Sequence, residues 1–75
     1  MTLYERGDDL PESDPRHHAQ KIERALTDLA AHARSDLRKV HDPRGQVLLE
    51  TTAEVLLGLA KAHGDFVRGR ERAMR

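Results

Sequence analysis

The segment VLLETTAEVLLGLAKAHGDFV, residues 47–67, holds nine of the large apolar side chains in this 75-residue chain. They recur at three- and four-residue steps, the spacing that brings side chains onto one side of an α-helix. The pattern predicts a helix whose apolar side covers about half of its circumference. Its two adjacent stripes are Leu48, Thr52, Val55, Leu59, Ala62 and Phe66, and Leu49, Ala53, Leu56, Ala60, His63 and Val67.

A second helical pattern precedes this segment and is narrower. It contains five large apolar side chains, and they form a single stripe at helical spacing. The stripe consists of Ile22, Leu26, Leu29, Ala33, Leu37 and Val40. The sequence therefore predicts an all-α protein made of two helices that present unequal apolar surfaces.

Two Asp-Pro-Arg phrases, at residues 14–16 and 42–44, mark where the helices begin. Aspartate favours the N-cap because its carboxylate accepts an orphan backbone N–H, and proline favours the first helical position. We expect helices at about 15–41 and 43–70, and the short connection predicts an antiparallel hairpin over 15–70. Residues 1–14 are predicted to form a flexible acidic arm, and residues 71–75 a basic tail.

Composition excludes several classes of protein. Thirteen basic and thirteen acidic side chains give no net charge, which argues against a dedicated nucleic-acid binder. The chain has no cysteine, so disulfides and thiolate metal sites are excluded, and we expect a cytoplasmic protein. No apolar run approaches the roughly 20 residues of a membrane span, so no membrane partner is expected.

The unequal stripes predict self-association. One narrow stripe cannot cover a face twice as wide, and a chain of this length is marginally stable alone. Two hairpins that bury the uncovered strips against each other would form a four-helix bundle, so we expect a homodimer. The predicted self-association residues are Leu48, Leu49, Thr52, Val55, Leu56, Leu59, His63 and Phe66.

Asp36 lies within the apolar stripe of the first helix, at a position where the helical spacing predicts an apolar residue. A buried carboxylate needs a partner. Asp36 lies about six residues before the turn, whereas His63 lies about twenty-one residues after the turn. The two side chains therefore cannot meet within one hairpin. In an antiparallel dimer they become level, and we expect two Asp36–His63 pairs across it. His32, one helical turn from Asp36, is the alternative partner.

The functional expectation is a non-catalytic interaction or regulatory module, because the sequence offers no nucleophile arrangement, phosphate-binding loop or catalytic residue. No cofactor and no metal ligand are assigned. The first alternative is a metal-binding bundle that uses His32, Asp36 and His63. The second is a nucleic-acid-binding bundle that uses the tail and basic residues of the first helix. An interaction module should present a binding patch, and we expect it on the outer surface of the first helix, at Arg24, Arg34 and Arg38.

Overall fold

The computed structural model describes residues 10–69, and they form a helical hairpin. Helix α1 spans Pro15–Leu37 and helix α2 spans Pro43–Arg68, and the two pack against each other along their length. Residues 10–69 contain no strand, so the predicted all-α hairpin is confirmed. Within this range neither helix is long and apolar enough to cross a membrane. Most of the predicted arm, and all of the predicted tail, lie outside the described residues.

Both helices begin at the predicted proline, but only one of the two aspartates caps with its side chain. The Asp14 carboxylate accepts the backbone N–H of Arg16 at 2.8 Å and pairs with the Arg16 guanidinium at 2.7 Å. Asp42 occupies the N-cap position of α2 without a side-chain hydrogen bond to the helix. Its carbonyl instead accepts the N–H of Gln46 at 2.9 Å, the first bond of the α2 ladder.

Helix α1 ends at Leu37, four residues before the predicted end at His41. The residue that precedes a proline is driven towards extended backbone, and Asp42 has ψ 122°, so the chain must leave the helix before Pro43. Two i→i−3 hydrogen bonds tighten the exit, from Lys39 N–H to the Asp36 carbonyl and from Val40 N–H to the Leu37 carbonyl.

Helix α2 ends at Arg68 rather than at residue 70, because Gly69 adopts a left-handed conformation with φ 75°. Glycine reaches this conformation without a Cβ clash, and its N–H satisfies carbonyls of the last turn. The predicted boundary therefore lies two residues beyond the observed one.

The interior between the helices is filled by alanine. Its buried apolar side chains are Ala19, Ala30, Ala33, Ala53 and Ala60. Leu49 and Leu56 are half-buried and pack against the central part of this cluster. Small side chains let two helix axes approach closely, towards the lower end of the usual range of about 8–10 Å. No large apolar side chain is fully buried in the described chain, so the hairpin has little core.

Candidate association face

Six large apolar side chains share one side of the hairpin, which we call the apolar face. Ile22 and Phe66 line one groove between the helices, which places their stripes on the same side. Each of these side chains is between 40% and 65% exposed, although their size favours burial. The apolar face consists of Ile22 and Leu29 from α1, and of Leu48, Val55, Leu59 and Phe66 from α2.

The wide side of α2 divides into its two stripes. The stripe that contains Leu49 and Leu56 turns towards α1 and meets its alanines. Four of the predicted self-association residues lie on the apolar face and are exposed: Leu48, Val55, Leu59 and Phe66. Thr52 and His63 are half-buried at the edge between the two stripes. One hairpin therefore leaves one of the α2 stripes uncovered.

Helix α1 also contributes to the apolar face, which the sequence analysis missed. Ile22 is 47% exposed and Leu29 is 52% exposed, although both were assigned to the stripe that covers α2. Their spacing of seven residues places them together on one edge of that stripe, while Ala33 is buried at its centre. The spacing of Ile22 and Leu29 was visible in the sequence. The sequence pattern did not indicate that alanines would form the contact between the helices.

A groove of about 380 Å³ opens at one end of the apolar face, between the start of α1 and the end of α2. Pro15, Ile22 and Phe66 line it, together with the imidazoles of His18 and His63. The His18 Nε2 lies 2.7 Å from the carbonyl oxygen of Glu12, so that ring is held by the segment before α1. Of these two imidazoles, His63 is the one for which the described residues show no hydrogen bond.

Asp36 lies at the opposite end of the hairpin, close to the turn. Its Oδ2 is 3.1 Å from the His32 Nε2, and its Oδ1 is 3.6 Å from the Lys39 Nζ. The alternative partner, His32, therefore meets Asp36 within one chain. The Asp36 side chain is 36% exposed, so it is only partly desolvated in a single hairpin. His63 does not approach it there.

The two neighbouring histidines at the start of α1 differ in their burial. His17 is buried, whereas His18 is exposed. The rings meet edge to face, with centroids 4.9 Å apart. His18 lines the groove beside Phe66.

The opposite side of the hairpin carries Leu57, which is 37% exposed. It shares a groove of about 340 Å³ with Thr27, Arg34 and Arg38. Neither arginine forms an ion pair within residues 10–69. Arg24 lines another groove beside acidic side chains, so the three arginines do not form one uniformly basic surface.

Within residues 10–69, no three histidine or acidic side chains of a single chain lie close enough together to hold a metal ion. The His32–Asp36 pair and His63 belong to different ends of the apolar face. Any site that unites them needs two chains. Comparison of the chain with protein-family models, with curated proteins and with solved structures finds no match.

Proposed function

We propose that this protein is a non-catalytic interaction module that functions as a homodimeric four-helix bundle. One observation carries the proposal: alanine fills the interior of the hairpin, while six large apolar side chains stay 40–65% exposed on one face. An apolar surface of this extent on a small protein marks a site of association.

The size of the hydrophobic effect supports this reading. Full burial of a large apolar side chain contributes about 1.5–3 kcal/mol, so removing the exposed half from water contributes roughly 1 kcal/mol. A two-fold interface would remove the exposed parts of six such side chains from water in each subunit. The alanines of the interior contribute much less each, because they carry one methyl group. Association would therefore supply the part of the core that the hairpin lacks.

The apolar face fits an antiparallel two-fold pairing. Its α2 part runs from Leu48 to Phe66 and is centred on residue 57, and Leu57 shares a groove with Ala30. A two-fold axis at this level places the face of one subunit on the same face of the other. The turn end of each hairpin then lies beside the groove end of its partner.

This arrangement brings Asp36 level with His63 of the partner subunit. Asp36 lies six residues from Ala30, or about 9 Å at 1.5 Å per residue, towards the turn. His63 lies six residues from residue 57, or about 9 Å, in the opposite direction. The two-fold axis superimposes these levels. An Asp36–His63 pair across the dimer would satisfy the remaining polar atoms of both side chains and fix the register of the two hairpins.

The first experiment measures the oligomeric state of three proteins by sedimentation equilibrium over a wide concentration range. The unmodified chain should be a dimer that dissociates on dilution. Val55→Asp with Leu59→Asp places charges at the centre of the apolar face and should give a monomer. Leu57→Asp adds the same kind of charge to the opposite side of α2 and serves as the matched control, which should remain a dimer.

Far-ultraviolet circular dichroism of the same samples shows whether each variant retains its helices. A monomeric unmodified chain at all concentrations would disprove the dimer. If Leu57→Asp lost association as fully as the double variant, the interface would not be the apolar face.

A further inference from the structure

The His32–Asp36 pair has the geometry of two ligands of one metal ion. The residues are one helical turn apart, the same i, i+4 spacing that places two zinc-binding histidines on one helix face. The His32 Nε2 and the Asp36 Oδ2 are 3.1 Å apart. Two ligands at about 2.0–2.1 Å from a tetrahedral Zn²⁺ ion are separated by about 3.3 Å, so this pair needs little adjustment.

The pair is also accessible. The His32 side chain is 69% exposed and that of Asp36 is 36% exposed. Lys39 lies 3.6 Å from the other carboxylate oxygen, Oδ1, and leaves Oδ2 to face the imidazole. A metal ion at Oδ2 would replace a weak contact between two partly solvated groups. One chain cannot complete the site, because the described residues offer no third ligand nearby.

The antiparallel dimer supplies the third ligand. The partner subunit's His63 would stand level with Asp36, on the half-buried edge of a groove lined mainly by apolar carbon. The partner subunit's His18 is a weaker candidate, because its Nε2 is already engaged by the Glu12 carbonyl. Two imidazoles and one carboxylate form a ligand set typical of zinc, and the fourth position of such a site is open to water.

We propose that the dimer binds two Zn²⁺ ions, each held by His32 and Asp36 of one subunit and by His63 of the other. This inference rests on the proposed dimer and adds a ligand to it. In the metal-free dimer Asp36 and His63 form the polar pair described above, and the ion takes the place of that contact. Bound Zn²⁺ would link the two chains, so the metal should strengthen association.

The test starts with metal-free, untagged protein and titrates Zn²⁺ by calorimetry, with oligomeric state followed by sedimentation. We expect two ions per dimer and a shift of the monomer–dimer equilibrium towards dimer. His32→Gln or His63→Gln should weaken binding by more than about 100-fold, since loss of an outer-shell partner alone costs about 10- to 100-fold. His41→Gln, at an exposed position near the turn, is the matched control and should bind normally.

Mixing two defective variants distinguishes a site shared between chains from a site within one chain. A heterodimer of His32→Gln and His63→Gln subunits has one intact site, because one chain contributes His32 and Asp36 and the other contributes His63. The mixture should therefore bind Zn²⁺ tightly although neither variant does so alone. No binding by the mixture, together with binding by the unmodified dimer, would overturn the shared site.

The remaining outcomes separate the two proposals. An unmodified dimer that binds no Zn²⁺ would overturn the metal site and leave the dimer intact. A chain that stays monomeric at all concentrations, with or without Zn²⁺, would overturn both. Binding that survives His63→Gln would show that His63 is not a ligand.

Discussion

Asp14 and Asp42 stand in the same Asp-Pro-Arg phrase and behave differently. Their backbone angles are nearly the same, with φ −85° and ψ 122° at Asp14 and φ −72° and ψ 122° at Asp42. The difference lies in the following arginine. Arg16 folds back and holds the Asp14 carboxylate with its guanidinium, whereas Arg44 forms no ion pair within the described residues. A shared sequence phrase therefore predicts the helix start, but not the capping hydrogen bond.

Removal of the two carboxylates should have unequal effects. Asp14→Ala removes the acceptor of an α1 N–H and the partner of Arg16, so the melting temperature should fall by several degrees. Asp42→Ala removes a carboxylate without a side-chain bond to α2 and should have a smaller effect. Thermal unfolding of both variants, followed by circular dichroism at one protein concentration, makes the comparison. Equal losses would contradict the capping difference.

The contribution of Asp14 should depend on pH. The hydrogen bonds from the Arg16 side chain and backbone lower the pKa of Asp14 below its ordinary value of 3.8. A carboxyl group whose pKa is lower in the folded state stabilises the fold above its unfolded pKa, and this contribution is lost as the pH falls through the folded value. The difference in melting temperature between the unmodified chain and Asp14→Ala should therefore be constant at neutral pH and shrink below pH 3.8. A difference that persists in strong acid would contradict the prediction.

At the scale of the helices, two of the three glycines inside α2 occupy different surroundings. A Cβ atom at Gly58 would meet no atom within 4 Å. A Cβ atom at Gly64 would collide with the ends of the Glu23 and Arg68 side chains, which pair across the two helices at 3.4 Å. Gly58 therefore only weakens the helix, whereas Gly64 gives room to a contact between α1 and α2.

Gly58→Ala should stabilise the fold by about 0.5–1 kcal/mol, because alanine loses less conformational entropy in a helix. Gly64→Ala should gain less, since the new methyl group displaces the Glu23–Arg68 pair, and an exposed pair of this kind contributes about 0–1 kcal/mol. Urea unfolding of both variants at a fixed protein concentration measures the two free energies. A larger gain at Gly64 would contradict the account.

Helix starts were easier to predict from the sequence than helix ends. The prolines at residues 15 and 43 mark both starts correctly. The extended backbone that Pro43 imposes on Asp42 requires α1 to end before the proline, but it does not fix the last helical residue. The i→i−3 hydrogen bonds that follow Leu37 are a local feature that the apolar pattern did not indicate. Gly69 indicated the end of α2, because glycine readily adopts the left-handed backbone that ends many helices. The prediction from the apolar pattern did not take this residue into account.

At the scale of the whole molecule, Asp36 and His63 test the register of the proposed dimer. Asp36→Leu alone would leave the partner's His63 without its acceptor and should weaken dimerisation by about 1–3 kcal/mol. Asp36→Leu combined with His63→Leu replaces the pair with apolar contact and should restore association or strengthen it. Sedimentation equilibrium in metal-free buffer measures both dissociation constants.

Asp28→Leu, an exposed carboxylate elsewhere on α1, is the matched control for a lost negative charge and should leave the dissociation constant unchanged. If Asp36→Leu behaves like this control, the pair across the dimer does not exist.

The sequence by itself determined the class of fold, the two helices and their starting points, because periodicity and proline chemistry act within a few residues. It also predicted correctly that part of the wide face of α2 would remain uncovered. Only the tertiary structure decided which side chains fill the interior. Alanines make the contact between the helices, and small side chains at a contact allow two helix axes to approach closely. Ile22 and Leu29 remain about half exposed beside this contact and join the apolar face.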